Sequence, residues 1–330
     1  MTEFASGKMT WLTLLNRDLM NAKATSPITG SHEVELIHLI DLPTLILAYR
    51  TTFQIDISYL VAPLQEMALY KCKTSGYRFY YPHNVVGDSA FYHCLEANDW
   101  YYMPRKWEFN ESINHVSGGA ILEIGSAKGD FLAAVRQTYP DSKLVGLELN
   151  QEAAKEANRR GFDVRIELSS DHVKSNREQY DVVASFQVLE HIRDPIEFLK
   201  DSIEMLKPGG KLIIAVPDNS TRAYPSLFVM TDHILNMPPH HQGLWDIPSL
   251  SYLTKVLPLR LVYIAIEPST ASHHRNGYRG LIKKDLMLRF GQVLGYIIYL
   301  IGRPFYKQAL RYFDKYLPAH SVLAIFEKTA

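Results

Sequence analysis

The rhythm of apolar positions changes near residue 118. From Ala120 onward, short continuous apolar runs alternate with stretches of helical period: AILEI at 120–124, a helical stretch to about residue 139, KLVGLEL at 143–149, QEAAKEANRR, YDVVASF at 180–186, a helix over about 195–206, and KLIIAVP at 211–217. Apolar runs of that length predict strands buried on both faces, and their alternation with helices predicts parallel strands joined by crossovers. The expected fold class is α/β, a doubly wound sheet. RLVYIAIEP at 260–268 and HSVLAIFEK at 320–328 read as its last strands.

Before residue 118 the sequence is aromatic-rich and irregular in period, and Gly118-Gly119 punctuates the change. This predicts an accessory region over 1–117 and a catalytic domain over 118–330. The segment 269–319, mainly helical in pattern, is too long for an ordinary connection and is read as an insertion. The first 22 residues predict an amphipathic helix, since Asn16, Arg17 and Asp18 interrupt any signal-peptide core.

Composition narrows the function. Lys plus Arg and Asp plus Glu are 35 each, so no global basic field gathers nucleic acid. Two cysteines, Cys72 and Cys94, make neither a disulfide framework nor a complete zinc site. A cytoplasmic location is expected. The run VLGYIIYLIG at 293–302 has about half of the roughly 20 residues a spanning helix needs. Lys283, Lys284, Arg289, Arg303, Lys307 and Arg311 flank it as basic residues flank an interfacial helix, which leaves a peripheral membrane contact through 281–317 open beside the reading as a buried helix with a basic face.

The chemistry begins at ILEIGSAKGDF. Gly125 and Gly129 bracket a tight turn opening a helix, an architecture that seats ligands on backbone N–H groups. A dinucleotide fingerprint would need glycines at 125, 127 and 130, whereas the chain has Ala127 and Asp130, the latter a negative charge where a pyrophosphate would sit. Glu123 stands where an acid could meet an ammonium group. Glu148, at the tip of the next strand, could accept hydrogen bonds from ribose hydroxyls.

These segments resemble class I S-adenosylmethionine-dependent methyltransferases. ILEIGSAKGDF resembles their first motif, YDVVASFQVLEHIRDP their fourth-strand motif and LKPGGKLIIAVP the motif that follows, in order over about a hundred residues. The resemblance covers about 119–268 and, more loosely, the last strand. It departs at Ala127, where the family usually has glycine. It implies a Rossmann-like, seven-stranded, mostly parallel sheet and S-adenosylmethionine as cofactor. Glu123, Gly125, Ser126, Ala127 and Gly129 would lie at the methionine end, Glu148 and Leu149 at the ribose end, and Phe186 and Gln187 beside the sulfonium. Gly209-Gly210 is read as a structural turn.

The segment LNMPPHHQGLWD at 235–246 can fold over the carboxyl ends of the strands, where ligands bind. His240 and His241 there, with His191 of the LEH segment, are the candidate general bases; structural hydrogen bonding is the alternative for each. SPITGS at 26–31 and CKTSGYRF at 72–79 resemble the two knuckles of a zinc ribbon found before the methyltransferase domain of some bacterial sugar methyltransferases. Ser26, Thr29 and Ser75 replace three of its four ligands and Cys72 remains, so no metal is expected there or elsewhere. DWYYMPRKWEF at 99–109 reads either as an aromatic wall over the cofactor mouth, through Tyr101 or Tyr102, or as glue between domains through Trp100 and Trp107.

The function expected is methyl transfer to a small molecule or a sugar or glycan acceptor, at oxygen, in the setting of polysaccharide biosynthesis. A lipid or quinone acceptor, and a catalytically silent S-adenosylmethionine-binding protein, are the alternatives. Oligomeric state is not readable from the sequence.

Overall fold

Strand residues with apolar side chains on both sides need cover on both faces, and the computed structural model supplies it with helices on either side of one large sheet. The structure describes residues 24–96, 106–220, 234–268, 282–283, 286–287, 289–312 and 318–329. In chain order the strands are β1 (Val34–Ile40), β2 (Met67–Cys72), β3 (Arg78–Tyr81), β4 (Ala120–Ile124), β5 (Lys143–Leu147), β6 (Asp163–Arg165), β7 (Tyr180–Phe186), β8 (Leu206–Pro217), β9 (Gly243–Leu244), β10 (Leu259–Pro268) and β11 (Pro318–Lys328). The expected helix over 1–22, Trp100, Tyr101, Tyr102 and the stretch 269–281 lie outside the described residues.

The seven-stranded sheet runs β10-β11-β8-β7-β4-β5-β6. Strands β6, β5, β4, β7 and β8 are parallel, and β11 runs against both β8 and β10. This is the α/β fold expected, with the one reversed strand, β11, inserted between the edge strand β10 and β8. Successive residues feed opposite faces: Leu122, Val183 and Ile214 join one apolar cluster, while Ile121, Val182 and Ile213 join the other. Helix Gln151–Arg159 packs through Ala153, Ala154 and Ala157, and Asn150 caps it by accepting from the N–H groups of Glu152 and Ala153. The glycine pair 209–210, expected as a turn ahead of a strand, instead lies within β8 at a shift of register: Leu206 faces Tyr180 and Lys211 faces Val182, so five steps of one strand oppose two of the other.

A second sheet, β1-β2-β3-β9, is antiparallel throughout. Its last strand comes from the segment after β8, with Phe79 opposite Gly243 and Arg78 opposite Leu244. Gly243 has to be glycine, because a Cβ there would collide with the Tyr77 hydroxyl. Trp245 packs on the Tyr77 ring at 4.3 Å, and the Tyr49 hydroxyl, fully buried, lies 3.0 Å from the carbonyls of both Ile234 and Met237. The early and late segments thus share one core, in which Leu45, Tyr49 and Phe91 meet Ile234, Met237 and Leu244.

At one end of this sheet two matching turns face each other. Gly30 N–H donates to Ser26 O at 2.8 Å and Gly76 N–H to Cys72 O at 2.9 Å, with both glycines left-handed. Between them, Thr29 Oγ1 lies 3.6 Å from Cys72 Sγ and the Ser75 N–H donates to the same sulfur at 3.5 Å. Burial pushes the Cys72 thiol up, but hydrogen bonds from Ser26, Ser75 and Thr29 outweigh it and bring the thiol down to about 7. The four side chains of the two knuckles therefore surround a single point.

Candidate functional site

The turn after β4 is shaped by what lies under it. Gly125 is left-handed, and a Cβ there would strike Val188 Cγ2. The N–H groups of Gly125 and Ser126 both donate to Leu147 O, at 2.8 and 3.0 Å, which ties the turn to the end of β5. Gly129, also left-handed, starts helix Asp130–Thr138. Ala127 has φ +45°, a conformation that costs a residue with a Cβ about 1–2 kcal/mol. This is the physical content of the departure from glycine at that position. Asp130 is paired with Arg160 at 2.8 Å, so the acid at the helix start carries its own counterion.

A cleft opens at the carboxyl ends of β4 and β7, lined by Lys106, Phe109, Glu123, Gly125, Ser126, Ala127, Lys128, Asp130 and Phe186. Glu123 is 2% exposed, and its Oε2 has no hydrogen-bond partner; the same holds for the buried Ser126 Oγ. Burial holds the Glu123 carboxyl well above its ordinary range, opposed by Lys106. A buried acid with an unmet oxygen, beside a turn too tight for side chains, suits a ligand that brings a cationic donor. The residues present therefore fit the amino acid end of S-adenosylmethionine.

Glu148 accepts from Ala127 N–H through Oε2 and from Asn150 N–H through Oε1, each at 2.8 Å. Burial raises its pKa, opposed by those two bonds. Each oxygen keeps a second lone pair for a ribose hydroxyl. Leu149, next to it, is 60% exposed and offers apolar surface beside that carboxylate. Phe186 is wedged between Phe109 and Phe131, with ring centroids 5.0 and 4.7 Å away. Gln187 is left-handed and spends its amide on Glu108 Oε1 at 3.2 Å and Ser321 Oγ at 3.1 Å.

Past β7, Val188 packs against Gly125 and the chain makes a short turn at Leu189–His191. This brings His191 against His240 and His241, with ring centroids 4.5 and 4.8 Å away, while the latter two stack at 4.5 Å. Three histidines singled out from two distant segments thus form one cluster, with one ring nitrogen from each within 4.8 Å of the others. The segments are held together by Gln242 N–H donating to Glu190 O at 2.7 Å. Burial lowers His191 to about 4, and burial with the neighbouring His191 lowers His240 to about 3, so both are neutral at physiological pH.

Sequence reasoning passed over three residues here. Glu190 is 1% exposed, burial pushes it up to about 8, and its Oε2 has no hydrogen-bond partner. Its place beside His191 in the LEH segment was the available signal. Lys106 at the cleft and Tyr92, whose hydroxyl is 3.4 Å from His191 Nδ1, lie far off in sequence and gave none.

Residues 100–257 match the Methyltransf_23 family, described as a methyltransferase domain. Among curated proteins, the chain is 25% identical over 135 residues to a ubiquinone biosynthesis O-methyltransferase of Aliivibrio fischeri (strain MJ11), covering 39% of this chain and 57% of that one. A protein of the same description from Aeromonas salmonicida (strain A449) is 24% identical over 161 residues, covering 43% and 67%. The chain thus spans a little over half the length of the first of these relatives. Among solved structures, a SAM-dependent methyltransferase from Archaeoglobus fulgidus superposes with TM-score 0.48 at 16% identity, covering 72% of this chain and all of that one. Phosphoethanolamine N-methyltransferase 2 of Haemonchus contortus gives 0.44 at 17% identity, covering 68% and 53%.

Proposed function

We propose that residues 100–257, which match a family model described as a methyltransferase domain, form a class I S-adenosylmethionine-dependent methyltransferase domain with which the chain methylates a hydroxyl group of a small-molecule acceptor. The observation that carries this reading is Glu123, a carboxylate with an unmet oxygen at the floor of the cleft beside the glycine turn. When bound, S-adenosylmethionine supplies a methyl group activated by its sulfonium. Glu123 and the backbone of Gly125, Ser126, Ala127 and Gly129 hold its amino acid end, Glu148 and Leu149 its ribose side, and Phe186 and Gln187 wall the region of the sulfur.

The acceptor side lies with His191, His240 and His241. For an oxygen acceptor the protein has two tasks, alignment of the hydroxyl with the methyl carbon and removal of its proton. His191, whose N–H donates to Val188 O at 2.9 Å at the turn that packs on Gly125, and the His240 and His241 rings stacked against it supply the imidazoles suited to the second task.

Two acceptor classes follow from different observations. The relatives' names point to a quinone precursor, and helix Gln292–Tyr312 favours an acceptor carried in a membrane: Val293, Ile301 and Phe305 are each more than 70% exposed, among flanking basic residues. No helix among the described residues is long and apolar enough to cross a membrane, so the contact would be peripheral. A sugar or glycan acceptor rests on the resemblance of the knuckles to those of sugar methyltransferases.

The test is isotope transfer from methyl-labelled S-adenosylmethionine to phenolic quinone precursors and to nucleotide sugars, beside calorimetry with the cofactor alone. We expect cofactor binding and one class labelled as a methyl ether. Binding with no transfer to any hydroxyl would favour the silent binding protein, and no binding would remove the reading altogether.

A further inference from the structure

We propose that Glu108 is a positioning residue of the cofactor cleft: its hydrogen bond with Gln187 seats the short helix that brings Lys106 and Phe109 to the cleft. The inference rests on that cleft being the S-adenosylmethionine site. Helix Trp107–Ile113 has seven residues, and its N-cap, Lys106, makes no side-chain capping bond. A helix of that length does not hold itself in water, so tertiary contacts decide where it lies. Lys106 and Phe109 nevertheless line the cleft together with Glu123, Gly125 and Ser126. Their places are coupled, because Lys106 Nζ lies 5.5 Å from the centre of the Phe109 ring.

Glu108, between those two in sequence, is 3% exposed. Gln187 Nε2 donates to Glu108 Oε1 at 3.2 Å and to Ser321 Oγ at 3.1 Å, so one amide joins the end of β7, this helix and the start of β11. Gln187 takes up this place in a left-handed conformation, φ +57°, with its backbone N–H on Ala215 O at 2.8 Å. Such a conformation is strained for a residue with a Cβ and persists where the surroundings over-determine it. The Tyr263 hydroxyl, donating to Glu111 Oε1 at 2.6 Å, fastens the far end of the helix to β10, and Glu108 fastens the end at the cleft. Phe109 also holds the helix, through Phe131 and Phe186, with ring centroids 5.7 and 5.0 Å away. An apolar residue at 108 would extend that packing without burying an acid. Burial indeed pushes the Glu108 carboxyl up, opposed first by Lys106. What the acid adds is direction: a hydrogen bond fixes the rotation of the helix about its axis, on which the reach of Lys106 and Phe109 depends.

The test is calorimetry on the full chain with two probes, S-adenosylhomocysteine and methylthioadenosine, the second a nucleoside thioether without the amino acid end. Lys106 and Phe109 share the cleft with Glu123, so a misplaced helix is felt at that end. E108D keeps the charge but draws the carboxylate back by one methylene, whereas E108Q keeps the reach and an accepting oxygen without the charge. We expect E108A and E108D to bind S-adenosylhomocysteine on the order of tenfold more weakly and methylthioadenosine as the wild type does, and E108Q to hold both within about twofold. A purely structural role would weaken both probes together, so equal weakening overturns the proposal. Wild-type affinity for S-adenosylhomocysteine in E108D, or a loss in E108Q as large as in E108D, also overturns it. If E108A fails to fold, E108D against E108Q decides. A wild-type chain that binds neither probe removes the cofactor reading and this proposal together; binding of both with E108D unchanged removes this proposal alone.

Discussion

The backbone N–H of Ala127 donates to Glu148 Oε2 at 2.8 Å, so the carboxylate at the tip of β5 and the turn after β4 are fixed by one bond. Glu148→Ala would leave that N–H and the one of Asn150 without their acceptor, at about 1–3 kcal/mol for an unmet buried donor. We expect a lower Tm together with weaker S-adenosylmethionine binding, on the order of tenfold by calorimetry. An unchanged affinity would detach Glu148 from the cofactor.

Ala127→Gly tests the strain at the same turn. Glycine adopts φ +45° freely, which recovers about 1–2 kcal/mol against an entropic loss of about 0.5–1 kcal/mol. The expected outcome in denaturant unfolding is a chain more stable by about 0.5–1 kcal/mol with cofactor affinity retained. A destabilised variant would show that the Ala127 methyl group makes packing contacts worth more than the strain.

Glu123 makes cofactor binding depend on pH. Burial raises its pKa above the ordinary 4.5, so within the window between the two values the folded chain holds a proton that the unfolded chain has lost. Stability contributed by that proton is full below the ordinary value and declines as pH rises through the window. A cationic ammonium needs the ionised form, so binding releases a proton and affinity climbs with pH across the same range. Calorimetry in buffers of different ionisation heat should show the release, and Glu123→Gln should abolish it. Proton uptake on binding would contradict the placement.

The knuckles offer a gain-of-function test. Thr29 Oγ1 already lies 3.6 Å from Cys72 Sγ, with Ser26 and Ser75 hydrogen-bonded to the same sulfur. Zinc–sulfur bonds of about 2.3 Å in a tetrahedron require sulfurs under about 4 Å apart. The triple variant S26C/T29C/S75C should therefore take up an ion, visible with Co2+ as thiolate charge transfer that the wild-type chain lacks. No added ion would mean that the two turns are not spaced as a metal ribbon.

The exposed face of helix Gln292–Tyr312 makes the membrane contact measurable. Flotation with anionic liposomes should carry the wild-type chain and not I301E/F305E, whose two residues are 77% and 73% exposed. Equal flotation of both would relocate the contact, and none for the wild type would remove it.

Six strands of the large sheet were legible as apolar runs, a signal carried within five to seven residues in β4, β5 and β7, whereas β6, the three-residue segment Asp163–Arg165 with one apolar position, was not. Glu123, Gly125 and Glu148 were legible for the same reason, since strand ends locate them. The second sheet was not. Strand β9 is two residues long and owes its existence to pairing with β3, more than 160 positions earlier, and no local pattern announces such a partner. His191, His240 and His241 were each visible as candidates, but their grouping depends on the bond between Gln242 and Glu190, which only the folded backbone makes.

Since β9 belongs to the early sheet, a gene fragment starting at residue 118 would encode all seven strands of the large sheet and still drop the clamp on the loop that bears His240 and His241. Exchanging the first hundred or so residues between related chains would then re-aim those side chains while sparing the cofactor turn. Selection could in this way alter what is methylated without disturbing what supplies the methyl group.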